Sequence, residues 1–304
     1  MNLSRLDGRT ILVTGASGGI GYFIAEGLAR RGARLIVAAR STTRAEAAID
    51  LLPEPSRHRH LELDLSDRES IRTAGALIGG ESTLDGLVMN AGVIAASPTF
   101  TTGAFGVEST VDVNVVAHME LLRLALPALD RAPSARVIST GSMLTKAIPF
   151  DLANWRAQTS YRPRVAYAMS KHAAEILGFE LDRRLIASGS RIRSVVSHPG
   201  GAIDALTPDR PPLHQRSPAV RLLAPVIAPL FSRVVQGKES AAQSAVAAVA
   251  MTTPGVRPYI GPRHVATGTP HLAAPVPTSS DETIGAALWA DIEGILGASV
   301  LPRG

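Results

Sequence analysis

The chain has 304 residues, 45% hydrophobic and 19% charged, the balance of a globular protein with material for one large core. Its formal charge is only +5 and its arginines are scattered, so no nucleic-acid face is expected. It has no cysteine, which excludes disulfides, thiolate catalysis and cysteine-held metals.

Thr10–Thr14 (TILVT) reads as a buried strand, and Ile20–Arg31 has helical spacing with Gly32 as its stop. A second strand, Arg34–Ala39, and a helix, Thr42–Leu52, follow. His60–Leu63 reads as a strand, Asp67–Ile78 as a helix and Asp85–Asn90 as a fourth strand. A long helix is predicted over Phe105–Leu129, bent near Pro127. Arg136–Thr140 is the fifth strand, Val165–Ala187 a second long helix and Arg191–Val196 the sixth strand. Residues 201–235 are proline-rich and lack a clean period. Gln236–Met251 resumes as an Ala-rich helix, Arg257–Ile260 fits a seventh strand, and 261–280 read as loop. A last helix spans 281–297, capped by Ser280 or Asp281.

This alternation predicts right-handed crossovers and an α/β fold: a Rossmann-type, doubly wound parallel sheet of about seven strands with helices on both faces. No linker separates two cores, so residues 1–304 are expected to form a single nucleotide-binding domain. No apolar run approaches the ~18 residues of a membrane span, and the N-terminus lacks the apolar stretch of a signal peptide. A cytoplasmic protein without membrane contact is expected. The most apolar stretch, Ala219 to Val235, is broken by Arg221, Pro225, Pro229 and Arg233.

Thr14–Gly21 (TGASGGIG) follows a strand and opens a helix, the context that a dinucleotide-binding turn needs. Gly15 permits the tight turn, Gly19 lets the backbone approach phosphate, and Gly21 allows close packing. Ser17, Gly18 and Ile20 complete a turn whose helix N-terminus offers N–H groups to pyrophosphate. Arg40, just past the second strand, stands where an acid would select NAD. A guanidinium there suits the 2′-phosphate of NADP(H). Asp64, followed by Leu65, is placed to accept from the adenine amino group or to cap the next helix.

Tyr167-Ala168-Met169-Ser170-Lys171 puts a phenol and an ammonium on one helix face, where the charge favours phenolate. Such a tyrosine can pass a proton to or from a carbonyl or alcohol oxygen. His58 and His60 alternate at a strand edge and read as solvated; two histidines without a third ligand make a poor metal site. Trp155 and Trp289 read as packing residues, and His198 as a loop-ordering one.

TGASGGIG, Asn90-Ala91-Gly92, Ser142, YAMSK and His198-Pro199-Gly200 stand in the order and spacing of the short-chain dehydrogenase/reductase family, which the chain resembles over residues 8–200. The resemblance implies that Ser142 holds the substrate oxygen, Tyr167 is the acid/base, and Lys171 binds the nicotinamide ribose and tunes Tyr167. It implies that Asn114 supports a water relay to Lys171, and that Asn90, Ala91 and Gly92 line the adenine ribose. Pro199 and Gly200 would face the nicotinamide. Asp151-Leu152-Ala153-Asn154-Trp155, Gln236-Gly237 and Leu288-Trp289 look like the retinol-dehydrogenase-like branch, which prefers NADP(H). The family also implies a homo-oligomer, a dimer or tetramer through the two long helices.

Two departures stand out. Ser139-Thr140-Gly141-Ser142 replaces two adjacent serines, leaving Ser139 as a rival to Ser142. Asp204 stands where the family places a carboxamide-holding threonine, and Thr207 is an alternative. Residues 204–235, apolar and rich in proline, lie where the family places a substrate lid. The expected activity is NADP(H)-dependent interconversion of a carbonyl and an alcohol on a bulky lipophilic small molecule. The alternatives are a non-catalytic NADP(H)-binding sensor or scaffold, and a membrane-associated lipid reductase.

Overall fold

The computed structural model describes residues 2–94, 97–215, 217, 234–252, 255 and 258–302. Seven strands run parallel in one sheet: β1 (Thr10–Thr14), β2 (Arg34–Ala39), β3 (Arg59–Glu62), β4 (Gly86–Met89), β5 (Arg136–Thr140), β6 (Arg193–Ser197) and β7 (Tyr259–Pro262). An eighth, β8 (Pro270–Leu272), pairs antiparallel with β7 and gives the order β3-β2-β1-β4-β5-β6-β7-β8. The eighth strand falls in a segment the sequence pattern assigns to loop. Three residues cannot display an alternation, and Pro270 opens the strand at the sheet edge, where its missing N–H costs nothing.

The alternation of β1 sends Ile11 and Val13 to one core and Leu12 to the other. Leu35 and Val37 of β2 share the first face, and Ile36 and Ala38 the second. The first face is covered by α1 (Gly19–Ala29), α2 (Thr42–Asp50) and α6 (Lys238–Ala250). The second is covered by α3 (Arg68–Gly79), α4 (Ala117–Arg131), α5 (Pro163–Ala187) and α7 (Glu282–Leu296). With few aromatics, close approach comes from glycine: a Cβ on Gly27 of α1 would lie 2.8 Å from Val246 of α6.

The first long helix differs from its expected span. Asp112 accepts from the Phe105 N–H at 2.7 Å and folds 103–107 into a turn. Glu108 then caps a single α-turn, Ser109–Val111, by accepting from the N–H groups of Thr110 and Val111. A π-helical turn, Asp112–Val116, leads into α4. Pro127 lies inside α4, which continues to Arg131. The last helix begins where expected, with Asp281 as its cap. It packs along α5, and Leu288, Trp289 and Ile292 are buried in the core on that face of the sheet.

Among the described residues no helix is long and apolar enough to cross a membrane. Val220, Leu222, Leu223, Val226, Ile227, Leu230 and Phe231 of the expected lid lie outside the described residues.

Candidate active site

The strand order reverses between β1 and β4, and the glycine-rich turn lies at the carboxyl end of β1. Gly15 and Gly19 adopt left-handed φ of 69° and 57°. A Cβ on Gly21 would collide with the Gly15 carbonyl. Gly18 caps α1 without any side-chain hydrogen bond, so the first-turn amides keep their capacity to meet an anion. Ser17 and Ile20 are half-buried in the same turn. Arg40 is exposed just past β2, and a guanidinium nitrogen of Arg44 lies 2.8 Å from where a Gly18 Cβ would stand. This cradle of amides, with two arginines nearby, fits a dinucleotide pyrophosphate.

Asn90 ties β4 to this turn. Its Nδ2 donates to the Thr14 carbonyl at 3.0 Å, and the Asn90 and Ala91 N–H groups both donate to Thr14 Oγ1. Gly92 faces the second half of the site: a Cβ there would lie 2.9 Å from Asn114 Oδ1 and 3.4 Å from Lys171 Nζ.

Ser142 follows β5, and its Oγ accepts from the Leu144 N–H at 3.3 Å, capping the 3₁₀ turn Met143–Lys146. Tyr167 and Lys171 project from one face of α5. Burial pushes the Tyr167 phenol up from its ordinary value, and a hydrogen bond with Ser142 opposes that shift. The sequence predicts that Lys171 lowers this pKa; here burial dominates, and Lys171 Nζ is turned to the Thr140 carbonyl at 3.2 Å. Lys171 is itself drawn down to about 8 by burial, with Glu175 pushing it back up. Asn114 sits in the π-turn with its side chain fully engaged. Its Oδ1 accepts from the Val93 N–H, while Nδ2 donates to the Val93 carbonyl and to Ser170 Oγ. π-Turns of this kind recur at functional sites.

A sequence profile of the short chain dehydrogenase family matches residues 9–207. This chain belongs to the short chain dehydrogenase family. Human "Retinol dehydrogenase 13" is 34% identical over 303 residues, covering 96% of this chain and 86% of that protein. Mouse "Retinol dehydrogenase 12" is 30% identical, covering 80% of this chain and 75% of that protein. The chain thus falls in the retinol-dehydrogenase-like branch. A crystal structure of an uncharacterised protein from Mycobacterium paratuberculosis shares 29% identity with a TM-score of 0.78, covering 99% and 98% of the two chains. The Pseudomonas aeruginosa RhlG/NADP active-site complex superposes with a TM-score of 0.60 at 26% identity, covering 83% of this chain and 93% of that one. The family assigns this chain to the oxidoreductases that use a nicotinamide dinucleotide on alcohol and carbonyl groups.

In this short chain dehydrogenase the other residues singled out from the sequence are held by identifiable contacts. Asp64 accepts from the N–H and hydroxyl of Ser66, and the helix cap is Asp67, not Asp64. Leu65 is buried in the core. The Pro199 carbonyl accepts from Gln236 Nε2 at 2.8 Å, and Gly200 takes a left-handed φ of 72° against the Ala266 carbonyl. Thr207 is fully buried; its hydroxyl donates to the Ile203 carbonyl and accepts from the Lys238 N–H at the start of α6, which leaves it no free donor. Asp204 is exposed and paired with Lys238. Arg210 is tied to Glu26 of α1 and lies over Phe23.

His58 is buried rather than solvated. It accepts from the Leu35 N–H and contacts the Pro53 carbonyl, and His60 contacts the Ala39 carbonyl, because both rings satisfy backbone groups near β2. Trp155 and Trp289 are buried, and Trp155 Nε1 donates to Asp291 of α7 at 2.7 Å.

Three residues escaped the sequence pattern. Arg44 lies inside the predicted helix Thr42–Leu52 and had no signal of its own. His118 lies one turn after Asn114, its Nδ1 against the Asn114 carbonyl and its Nε2 against Thr14 Oγ1. Burial holds it down to about 4, so it is neutral. Glu175, one turn after Lys171, is fully buried behind Ser142. A signal for it existed in Gly141, whose missing Cβ makes room for that carboxylate.

Proposed function

We propose that this protein is an NADP(H)-dependent short-chain dehydrogenase/reductase acting on a lipophilic alcohol or its carbonyl partner. The observation that carries the reading is the convergence of Ser142, Tyr167, Lys171 and Asn114 beside a glycine turn flanked by Arg40 and Arg44. Residues 1–304 act as one nucleotide-binding domain, with 204–235 as its substrate lid.

Gly15, Ser17, Gly18, Gly19, Ile20 and Gly21 hold the pyrophosphate. Arg40, with Arg44, holds the 2′-phosphate through charge-assisted bonds. Asp64, Leu65, Asn90, Ala91 and Gly92 border the adenosine, and Pro199 and Gly200 border the nicotinamide. When bound, the cofactor supplies or accepts the hydride. Ser142 holds the substrate oxygen, and Tyr167 gives it a proton in reduction or takes one in oxidation. Lys171 supports the phenolate, and the Asn114 carbonyl, held by His118, steadies the proton path to Lys171.

The lipophilic class is supported by the apolar composition of the lid segment and by the names of the retinol dehydrogenase relatives. The test follows NADPH oxidation with a chain-length series of aldehydes, and with retinal. Catalytic efficiency should rise with apolar size. A series in which small sugars or hydroxy acids outperform every lipophilic compound would overturn the substrate class.

A further inference from the structure

Glu175 is a buried carboxyl for which the proposed chemistry has no use. It stands one turn beyond Lys171 on α5, with no exposure to solvent. Its Oε1 accepts from the Ser142 N–H at 3.3 Å, from the Thr145 hydroxyl at 3.3 Å and from the Tyr259 hydroxyl at 3.2 Å. Its Oε2 accepts from the Ser279 hydroxyl at 2.9 Å. Four segments therefore end on one carboxylate: the β5 turn, α5, β7 and the 3₁₀ turn Pro277–Ser280. A Cβ on Gly141 would occupy the carboxylate itself, so the glycine and the acid are fitted to each other. An acid buried this deeply for stability alone is a poor choice, since a well-packed apolar residue serves that end at lower desolvation cost.

We propose that Glu175 is a positioning residue of the reaction, holding the Ser142 backbone, and with it the direction of Ser142 Oγ towards Tyr167, while supplying the negative charge that sustains the Lys171 ammonium. The inference rests on the reading of Ser142, Tyr167 and Lys171 as the reacting groups.

The electrostatics agree with the geometry. Burial raises Glu175 to about 7, and its four hydrogen-bond donors oppose that rise. Among the described residues, the titratable groups facing it are Lys171 on its own helix and Tyr259 on β7, with His198 stacked behind Tyr259 at 5.2 Å. Above about pH 7 the carboxylate is ionised and raises Lys171; once it is neutral, Lys171 loses that support. Removing the charge therefore makes Lys171 give up its proton at lower pH.

The test compares wild type, Glu175→Gln and Ser279→Ala in the full-length protein, using the fastest aldehyde of the series. Ser279 lies on the short 3₁₀ turn Pro277–Ser280, and its replacement by alanine removes only one donor and little volume, so that variant is expected to fold. Glu175→Gln should lower kcat about tenfold, the loss of one hydrogen bond to a charged acceptor, with KM and the NADPH Kd held within about twofold. Its alkaline limb of activity should move to lower pH. Ser279→Ala should move the limb the same way by less, because a carboxyl short of one donor stays neutral to higher pH. Unchanged kcat and limb in both variants would overturn the proposal. So would an activity loss that tracks NADPH affinity and melting temperature with the limb fixed, which marks a purely structural prop. Tyr167→Phe run in parallel separates the two readings: if it retains activity, the assignment of the reacting groups has failed, whatever Glu175 does.

Discussion

Arg40 was singled out in the sequence because the end of the second strand is a defined place in a Rossmann fold, where a residue would meet the 2′-position of a bound dinucleotide. Arg44 was not, since its meaning depends on α2 turning back towards Gly18. Two guanidinium groups at one turn predict a preference for NADPH over NADH. Each charge-assisted contact is of the order of 1.5–3 kcal/mol, or about ten- to a hundredfold in affinity. Arg40→Asp should erase or reverse the preference, and Arg44→Ala should weaken NADPH while sparing NADH. Measured Kd values for both cofactors decide it; equal NADPH and NADH efficiencies in the wild type remove both arginines from the site. Glu175 was hidden for a different reason. A long helix buried on most sides has no clear polar stripe, so a functional acid on it looks like any other polar residue.

At the scale of elements, strands β1, β2 and β5 match their predicted bounds residue for residue, because β-branched runs bounded by polar turns mark a buried strand. The start of the first long helix was misread. Periodicity carried it back to Phe105, whereas Asp112 and Glu108 fold the preceding residues into a turn and a cap. Such side-chain-to-backbone bonds compete with helix locally and leave no periodic trace. The register of β5 places the two serines differently. Ser139 is buried within the strand, its Oγ about 3 Å from where a Cβ on Gly178 of α5 would stand, while Ser142 lies past the strand end beside Tyr167. Ser142→Ala should therefore cost about a hundredfold or more in kcat, the scale of a lost oxyanion donor. Ser139→Ala should change kcat only slightly and act mainly on stability. Steady-state rates and melting curves for the pair check the register, and comparable kinetic losses contradict it.

For the whole molecule, several titratable groups are buried. His118, His172 and His198 are each held down to about 4 by burial, and His58 is lowered as well. Each is neutral in the folded chain and would bind a proton near its ordinary pKa of about 6.5 when unfolded. Their stabilising effect is present above that value and is lost as pH falls towards 4. Asp112, raised to about 6, and Glu175, raised to about 7, act oppositely, because the folded chain holds their protons longer. Four histidines against two carboxyls leave the unfolded state with more bound protons, so stability should fall as the solution is acidified. Each net proton contributes up to ~1.4 kcal/mol per pH unit. Denaturant midpoints should drop between about pH 7 and about pH 5, and the fall should be shallower in His118→Gln. A midpoint that rises on acidification contradicts this assignment of charge.

The claim on which the account turns is that the Tyr167 phenol moves the proton while its ring only fills space. NADPH oxidation with a lipophilic aldehyde, measured for wild type and Tyr167→Phe alongside NADPH binding, tests it most directly. The account predicts that turnover in Tyr167→Phe drops by at least about a thousandfold, the upper range for a positioned acid, with NADPH affinity within a few-fold. Turnover in Tyr167→Phe within about tenfold of wild type, with cofactor binding intact, would show that the proton comes from another group.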